Sequence, residues 1–343
     1  MALIVTGFLS STTKEKMKIL VLGKDGQLGK AFKEAFDGFT VTLPEMPVIQ
    51  YVGRSECDLA NAEMLSRLLN QFQPQFIINA SAYTAVDKAE IDSDLAFAIN
   101  ARAPEIMAQY AAEHDATLLH YSTDYVFDGE KYGYYLEDDM RNPLGVYGKS
   151  KAAGEEAIAR VFAAAKGKGQ YAIFRTSWVY GEGSNFIRTI LRLAKERDEL
   201  KIINDQFGVP TSAQWLAKVS LNLAVDEQVC LRKFSSGIYH AVPAGETTWH
   251  GLAVLAVQAA LGAGVTLKTH PAAIKPIFAV EYPLPAPRPM NSRMSTDKLR
   301  LALVKAPVDA SNSYNHVDGA IEFPAWDVMV REHVFNLAQD KLI

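Results

Sequence analysis

Tyr147 and Lys151 stand four positions apart in the stretch PLGVYGKSKAAGE. Residues i and i+4 share one face of a helix, so a phenol and an ammonium placed there would address one spot. A phenol titrates near ~10 and is a poor acid or base at neutral pH, and a nearby cation stabilises the phenolate and lowers that value. Such a pair can move a proton to or from a carbonyl or alcohol oxygen. The spacing alone decides nothing. With 14 tyrosines in the chain, about one Tyr-x3-Lys arises from composition.

Gly23, Gly26 and Gly29 form G-x-x-G-x-x-G after KILVLG (18–23), a short apolar run that reads as a buried strand. Glycine lets the backbone turn tightly and approach a pyrophosphate, which then sits at the N-terminus of the next helix. In this position the spacing marks a dinucleotide site. An acidic residue at the tip of the second strand would bind a ribose 2'-hydroxyl and favour NAD. Here the tip after VIQYV (48–52) carries Gly53-Arg54. A guanidinium pairs with a 2'-phosphate, so Arg54 favours NADPH, with NADH possible. Asp58 and Leu59 fall near the adenine in similar folds; Asp58 is equally placed to cap the helix at 61–72. HYSTDYVFDG follows a strand at 117–121, and ligands in such folds bind beyond the carboxyl ends of strands. Thr123 could hydrogen-bond the same substrate oxygen as Tyr147, and Asp124 could hold a sugar hydroxyl. The structural alternative is a Ser/Thr/Asp turn.

Elements that could position these groups alternate along the chain. Strands are expected at 18–23, 48–52, 76–80, 117–121, 171–176 and 237–242, with helices at 61–72, 94–113, 149–165 and 213–226. Alternation of this kind implies βαβ units and a parallel sheet covered on both faces, an α/β fold of the doubly wound Rossmann type. The rhythm changes after about residue 180. SNFIRTILRLAKERDEL and TTWHGLAVLAVQAAL read as helices, the second capped by Thr247 or Thr248, and 276–289 is too rich in proline for an interior helix or central strand. We expect an N-terminal extension at 1–16 and an NADP(H)-binding domain at 17–180. Residues 181–343 are expected to form mainly a substrate-binding lobe, with strands near 201–242 returning to the sheet.

Composition excludes several classes. Apolar residues make up 49% and charged residues 22% of the 343, and the net charge is −4. No global positive field attracts nucleic acid or acidic membranes. The apolar runs are too short for a membrane span. Two cysteines, Cys57 and Cys230, build no disulfide framework and point to a reducing, cytoplasmic compartment. Histidine and cysteine spacing supports no zinc site.

The order of strand, Gly-rich turn, helix, Ser-Thr-Asp and Tyr-x3-Lys resembles the extended short-chain dehydrogenase/reductase family. GKDGQLG, INASAYTAVDKAE, HYSTDYVFDG, FRTSWVYGEGSNF, INDQFGVPTSA, TTWHGLA and RPMNSRM sharpen this to a resemblance to the dTDP-4-dehydrorhamnose reductases. The resemblance implies NADPH-dependent reduction of the C4 ketone of a dTDP-sugar, with Thr123, Tyr147 and Lys151 as the catalytic residues. It implies cofactor contacts from Gly26, Gln27, Leu28, Ala82, Tyr83, Thr84, Tyr147 and Lys151, with Asn100 ordering the site. Asp124 and Trp178 are implied as sugar contacts. Arg288 is a candidate for the substrate diphosphate, with a surface salt bridge as its alternative. Some members hold Mg²⁺ between subunits with glutamates, and here Ala31 and Gln214 stand at those positions. That argues against a bound metal and leaves a monomer or a different homodimer open. Two alternatives remain: a reductase of a related 4-keto-6-deoxy sugar nucleotide, and a non-catalytic NADP-binding regulatory subunit.

Overall fold

The computed structural model describes residues 16–39, 47–304 and 322–343. The expected N-terminal extension therefore lies, apart from Lys16, outside the described residues. Short β-branched and aromatic runs form β1 (Lys18–Leu22), β2 (Val48–Val52), β3 (Phe76–Asn79), β4 (Thr117–Thr123) and β5 (Gln170–Thr176). Between them lie α1 (Gln27–Phe39), α2 (Ala62–Phe72), α3 (Val86–Ala89), α4 (Ser93–Phe97), α5 (Ala103–Glu113) and α6 (Val146–Ala164). Later in the chain, β6 (Val179–Tyr180) pairs with β9 (Thr211–Ser212), β7 (Leu200–Ile203) with β12 (Ile274–Ile277), and β8 (Phe207–Gly208) with β11 (Thr247–Thr248). β10 (Gly237–His240) instead pairs with β5. Helices α7 (Phe186–Glu196), α8 (Ala213–Ala224), α9 (Trp249–Gly262), α10 (Asp297–Val304) and α11 (Trp326–Gln339) complete the chain.

The main sheet has six parallel strands in the order β10-β5-β4-β3-β1-β2. The chain steps from β1 out to β2, returns past β1 to β3, then continues through β4 and β5. The reversal opens a crevice between β1 and β3 at their carboxyl ends, the usual ligand position in such sheets. Alternate residues of each strand face opposite layers. Ile19, Val21, Ile78 and Phe174 pack with Phe32 of α1 and Trp215 and Leu216 of α8. Leu20, Leu22, Ile77 and Ile173 pack with Leu65 of α2, Met107 of α5 and Ile158 of α6. A third core joins α7, α9 and α11 through Ile190, Leu252 and Val330. Of the strands expected at 201–242 to return to the main sheet, only β10 does. β7 pairs with β12 and buries Leu200 in this third core.

The helix expected at 94–113 is broken. Ala98–Arg102 forms a π-helical turn between α4 and α5, and the Ala103 N–H bonds the Ala98 carbonyl. Pro104 has no N–H to give the Asn100 carbonyl, the partner an α-helix would require. Gly154 of α6 occupies the opened space, where a Cβ would lie 2.1 Å from the Asn100 oxygen. The turn buries Asn100, and such turns recur at functional sites.

Candidate active site

A cleft of about 800 Å³ opens at the carboxyl ends of the strands. Its floor is the glycine-rich turn. Gly23 has φ +90°, and a Cβ there would lie 2.7 Å from Ser81 Oγ. A Cβ at Gly29 would lie 2.0 Å from the Gly23 oxygen. The glycines thus bring the N-terminus of α1 against the turn, and its first N–H groups lack intrahelical partners. Gly23, Gly26, Gln27 and Leu28 line the cleft, which is the cradle a pyrophosphate requires.

Arg54 lies exposed at the cleft edge and forms no ion pair among the described residues. The nearby Glu56 is already committed. It pairs with Lys24 and accepts the Gly53 N–H at 3.0 Å and the Ser55 hydroxyl at 2.9 Å. The lysine and these donors hold its carboxyl down to about 2. An unpaired guanidinium beside a neutralised acid suits a 2'-phosphate better than a 2'-hydroxyl. Asp58 and Leu59 also line the cleft. The cap of α2 is Asn61, which accepts the Met64 N–H at 3.0 Å, so Asp58 does not cap this helix.

Ala82, Tyr83 and Thr84 form the wall after β3. Asn100 does not reach the cleft surface. Its amide takes the Tyr83 N–H at 2.8 Å and donates to the Tyr83 carbonyl at 3.0 Å and to Ser150 at 3.0 Å. It fixes the wall from behind. Gly29, likewise, supports the turn through close packing and does not line the cleft.

Thr123, Asp124, Tyr147 and Lys151 meet at the centre. Gly145 precedes the first turn of α6, which places Tyr147 and Lys151 on one face. Thr123 Oγ1 donates to Asp124 Oδ1 at 2.9 Å, and the Ser292 hydroxyl donates to Asp124 Oδ2. Burial pushes the Asp124 carboxyl up to about 6 against the pull of both hydroxyls. Burial likewise pushes the Tyr147 phenol up to about 12, opposed by its hydrogen bond to Thr123 and reinforced by the Asp124 charge. Lys151 Nζ donates to the Tyr121 carbonyl at 2.6 Å and lies 3.3 Å from His120 Nε2. This differs from the expectation that Lys151 depresses the phenol. The lysine nitrogen is drawn to β4 instead, and Tyr147 remains a protonated donor at neutral pH.

Trp178 lines the far side with a strained backbone, φ +48°. Its ring stacks on Trp249 at 3.7 Å and 18°. A Cβ at Gly208 would lie 2.7 Å from the indole, so only glycine leaves room there. Arg288 does not line the cleft. Its guanidinium is held by Asp87 through bonds of 2.7 and 2.8 Å, the salt-bridge alternative. Sequence reasoning missed Ser292, Trp249 and His120, although each lies in a motif that carries the resemblance. A spacing within one motif does not reveal contacts across 168 residues such as that of Ser292 with Asp124.

Comparison with known proteins agrees with this geometry. The family model described as the RmlD substrate binding domain matches residues 17–316. The dTDP-4-dehydrorhamnose reductase of Escherichia coli (strain K12) is 42% identical over 287 residues, 83% of this chain and 91% of its own. The crystal structure of a dTDP-4-dehydrorhamnose reductase from Clostridium acetobutylicum has a TM-score of 0.76 at 33% identity, covering 94% of this chain and all of that one. That of the Bacillus anthracis enzyme in complex with NADP has a TM-score of 0.75 at 29% identity, covering 94% and 99%. On these grounds the chain belongs to the dTDP-4-dehydrorhamnose reductase family, the family of the RmlD substrate binding domain.

Proposed function

We propose that the protein is an NADPH-dependent oxidoreductase that reduces the C4 ketone of dTDP-4-dehydro-L-rhamnose to dTDP-L-rhamnose, the last step of dTDP-rhamnose biosynthesis. The observation that carries this reading is the meeting of Thr123, Tyr147 and Lys151 in one cleft with the glycine-rich cradle. The residues present fit a dinucleotide: a turn with glycine at its closest backbone approaches, an open helix N-terminus and, among the described residues, an unpaired Arg54. When bound, NADPH supplies hydride to the carbonyl carbon.

The chain's own residues supply the rest. Tyr147, protonated at neutral pH, gives its proton to the developing alkoxide. Thr123 hydrogen-bonds that oxygen and stabilises its growing charge. Lys151 holds the nicotinamide ribose. Gly26, Gln27, Leu28, Ala82, Tyr83 and Thr84 contact the cofactor, Arg54 its 2'-phosphate, and Asp58 and Leu59 the adenosine. Asp124 and Trp178 orient the sugar, and Asn100 acts through Tyr83. In this reading residues 17–180 mainly hold cofactor and 181–343 mainly the sugar nucleotide.

Among the described residues no helix is long and apolar enough to cross a membrane. We place the reaction in the cytoplasm because Cys57 and Cys230 are both free thiols. Ala31, on the core-facing side of α1, brings no carboxylate for a bridging metal, which supports operation without one. A monomer or homodimer fits this reading.

The test supplies dTDP-4-dehydrorhamnose with NADPH and identifies the sugar product by NMR. The rhamnose configuration at C4 is expected. The opposite C4 configuration would assign a related reductase, and no turnover would favour a regulatory subunit.

A further inference from the structure

Behind the cleft, a chain of buried polar groups runs from the wall to Lys151. The Ser81 N–H donates to Asn79 Oδ1 at 3.2 Å. Asn79 Nδ2 lies 3.0 Å from His120 Nδ1, and His120 Nε2 lies 3.3 Å from Lys151 Nζ. Asn79, His120 and Lys151 are all buried. A backbone N–H can only donate. It therefore fixes the Asn79 oxygen toward Ser81 and turns the Asn79 amide N–H toward the imidazole. His120 Nδ1 must then accept.

Burial keeps His120 neutral whether or not Lys151 is charged. A neutral imidazole that accepts at Nδ1 carries its proton on Nε2. That proton points at Lys151. An ammonium has no lone pair, so two donors would face each other. The chain is satisfied when Lys151 is an amine, accepting from His120 and donating to the Tyr121 carbonyl.

We infer that Asn79 and His120 are positioning residues that favour the amine form of Lys151, which accepts from His120, and that protonating Lys151 switches the His120 tautomer. With an ammonium present, Nε2 must accept and Nδ1 must carry the proton. The Asn79 amide must then turn its oxygen to the ring and release the Ser81 N–H in the wall of the cofactor cleft. The proton on Lys151 and the order of that wall are thereby linked.

The other charged groups around Lys151 leave this logic intact. Glu155, one turn along α6, favours the ammonium. Both its oxygens are taken by Arg175 of β5, at 2.9 and 2.7 Å, and one is shared with Arg141. Asp124 is engaged by Thr123 and Ser292. Burial lowers Lys151 to about 8, which puts the switch within reach of experiment.

The inference rests on the reductase reading for its role in turnover, but not for its test. Long-range ¹⁵N–¹H correlation spectra of the cofactor-free protein report which imidazole nitrogen carries the proton. His120 is identified by the signals missing from His120→Gln. At roughly one and a half pH units above the lysine midpoint, the proton is expected on Nε2; the same interval below, on Nδ1, with the ring neutral throughout. In Asn79→Asp, a carboxylate accepts from both Ser81 and the ring, so the proton is expected on Nδ1 at both pH values. If the signals that vanish in His120→Gln show one tautomer at both pH values in the parent protein, the inference is overturned. Should His120→Gln fail to fold, the imidazole whose tautomer moves in Asn79→Asp makes the identification, and no such imidazole overturns the inference equally. An unswitched tautomer in an active enzyme sinks this inference alone, whereas absent turnover sinks the reductase reading alone.

Discussion

The Asp87 carboxylate and the Arg288 guanidinium meet through two parallel bonds of 2.7 and 2.8 Å, and Asp87 also accepts the Ala286 N–H at 3.1 Å. These residues lie 201 positions apart. The pair clasps the proline-rich segment to α3, beside the wall that Asn100 supports. A two-pronged carboxylate–guanidinium contact fixes geometry as well as adding energy.

Arg288→Ala should therefore act on the fold rather than on substrate affinity. Asp87 is 41% exposed in its side chain, so solvent screening limits the loss to about 1 kcal/mol or less. Asp87→Ala should cost a similar amount, and the double variant little more than either. The arginine holds the Asp87 carboxyl below its ordinary range. The clasp thus stabilises the fold above the ordinary carboxylate pKa and loses that contribution as pH falls through the lowered value. Denaturant titration measures the losses. A KM for the sugar nucleotide raised tenfold in Arg288→Ala, but not in Asp87→Ala, would return Arg288 to the substrate diphosphate.

Asp124 carries the opposite sign. Burial raises its carboxyl to about 6, so its charge weakens the fold as pH rises through that value. Asp124→Asn keeps the shape and removes the charge. It should raise the melting temperature at neutral pH, by the equivalent of about 2–3 kcal/mol if the whole shift is recovered. The gain should vanish below pH ~4, where the parent carboxyl is protonated in both folded and unfolded states. Turnover should fall, because Asp124 holds Thr123. Melting curves across this pH range measure the effect, and a variant destabilised equally at every pH would mean that Ser292 and Thr123 need the carboxylate for structure.

The proposed reader of the cofactor's 2'-phosphate is Arg54, at the cleft edge. Arg54→Ala should weaken NADPH far more than NADH. A hydrogen bond to a charged group contributes about 1.5–3 kcal/mol, which corresponds to roughly tenfold to a hundredfold in affinity. Calorimetric titration of both cofactors reads the contrast. Equal losses would show that Arg54 does not read the 2'-phosphate.

The sheet was legible because each strand is a short apolar run ending at a turn or glycine, as in KILVLG and FIINA. The cleft was legible because Gly23, Gly26, Thr123, Tyr147 and Lys151 belong to local motifs. The π turn was not, since Pro104 reads equally as a first-turn residue of a new helix or as the missing donor of a continuing one. The Asp87–Arg288 clasp and the Ser292–Asp124 bond were not legible either. Each joins residues more than 160 positions apart, and no periodicity records such a meeting. The direction of Lys151 was misread for a related reason. Its i, i+4 spacing puts it on the face of Tyr147, but the Tyr121 carbonyl and His120 compete for the same nitrogen.

In the proposed reaction the Tyr147 phenol is the proton donor. Tyr147→Phe removes one oxygen and keeps the ring, whose edge-to-face contact with Tyr125 at 5.5 Å should survive. Single-turnover decay of NADPH absorbance with dTDP-4-dehydrorhamnose measures the chemical step directly. The step should slow by roughly 10²–10⁴-fold, with NADPH binding little changed because most of the proposed cofactor contacts lie elsewhere in the cleft. A variant that turns over at nearly the parent rate would contradict this role, and would mean that another group protonates the alkoxide.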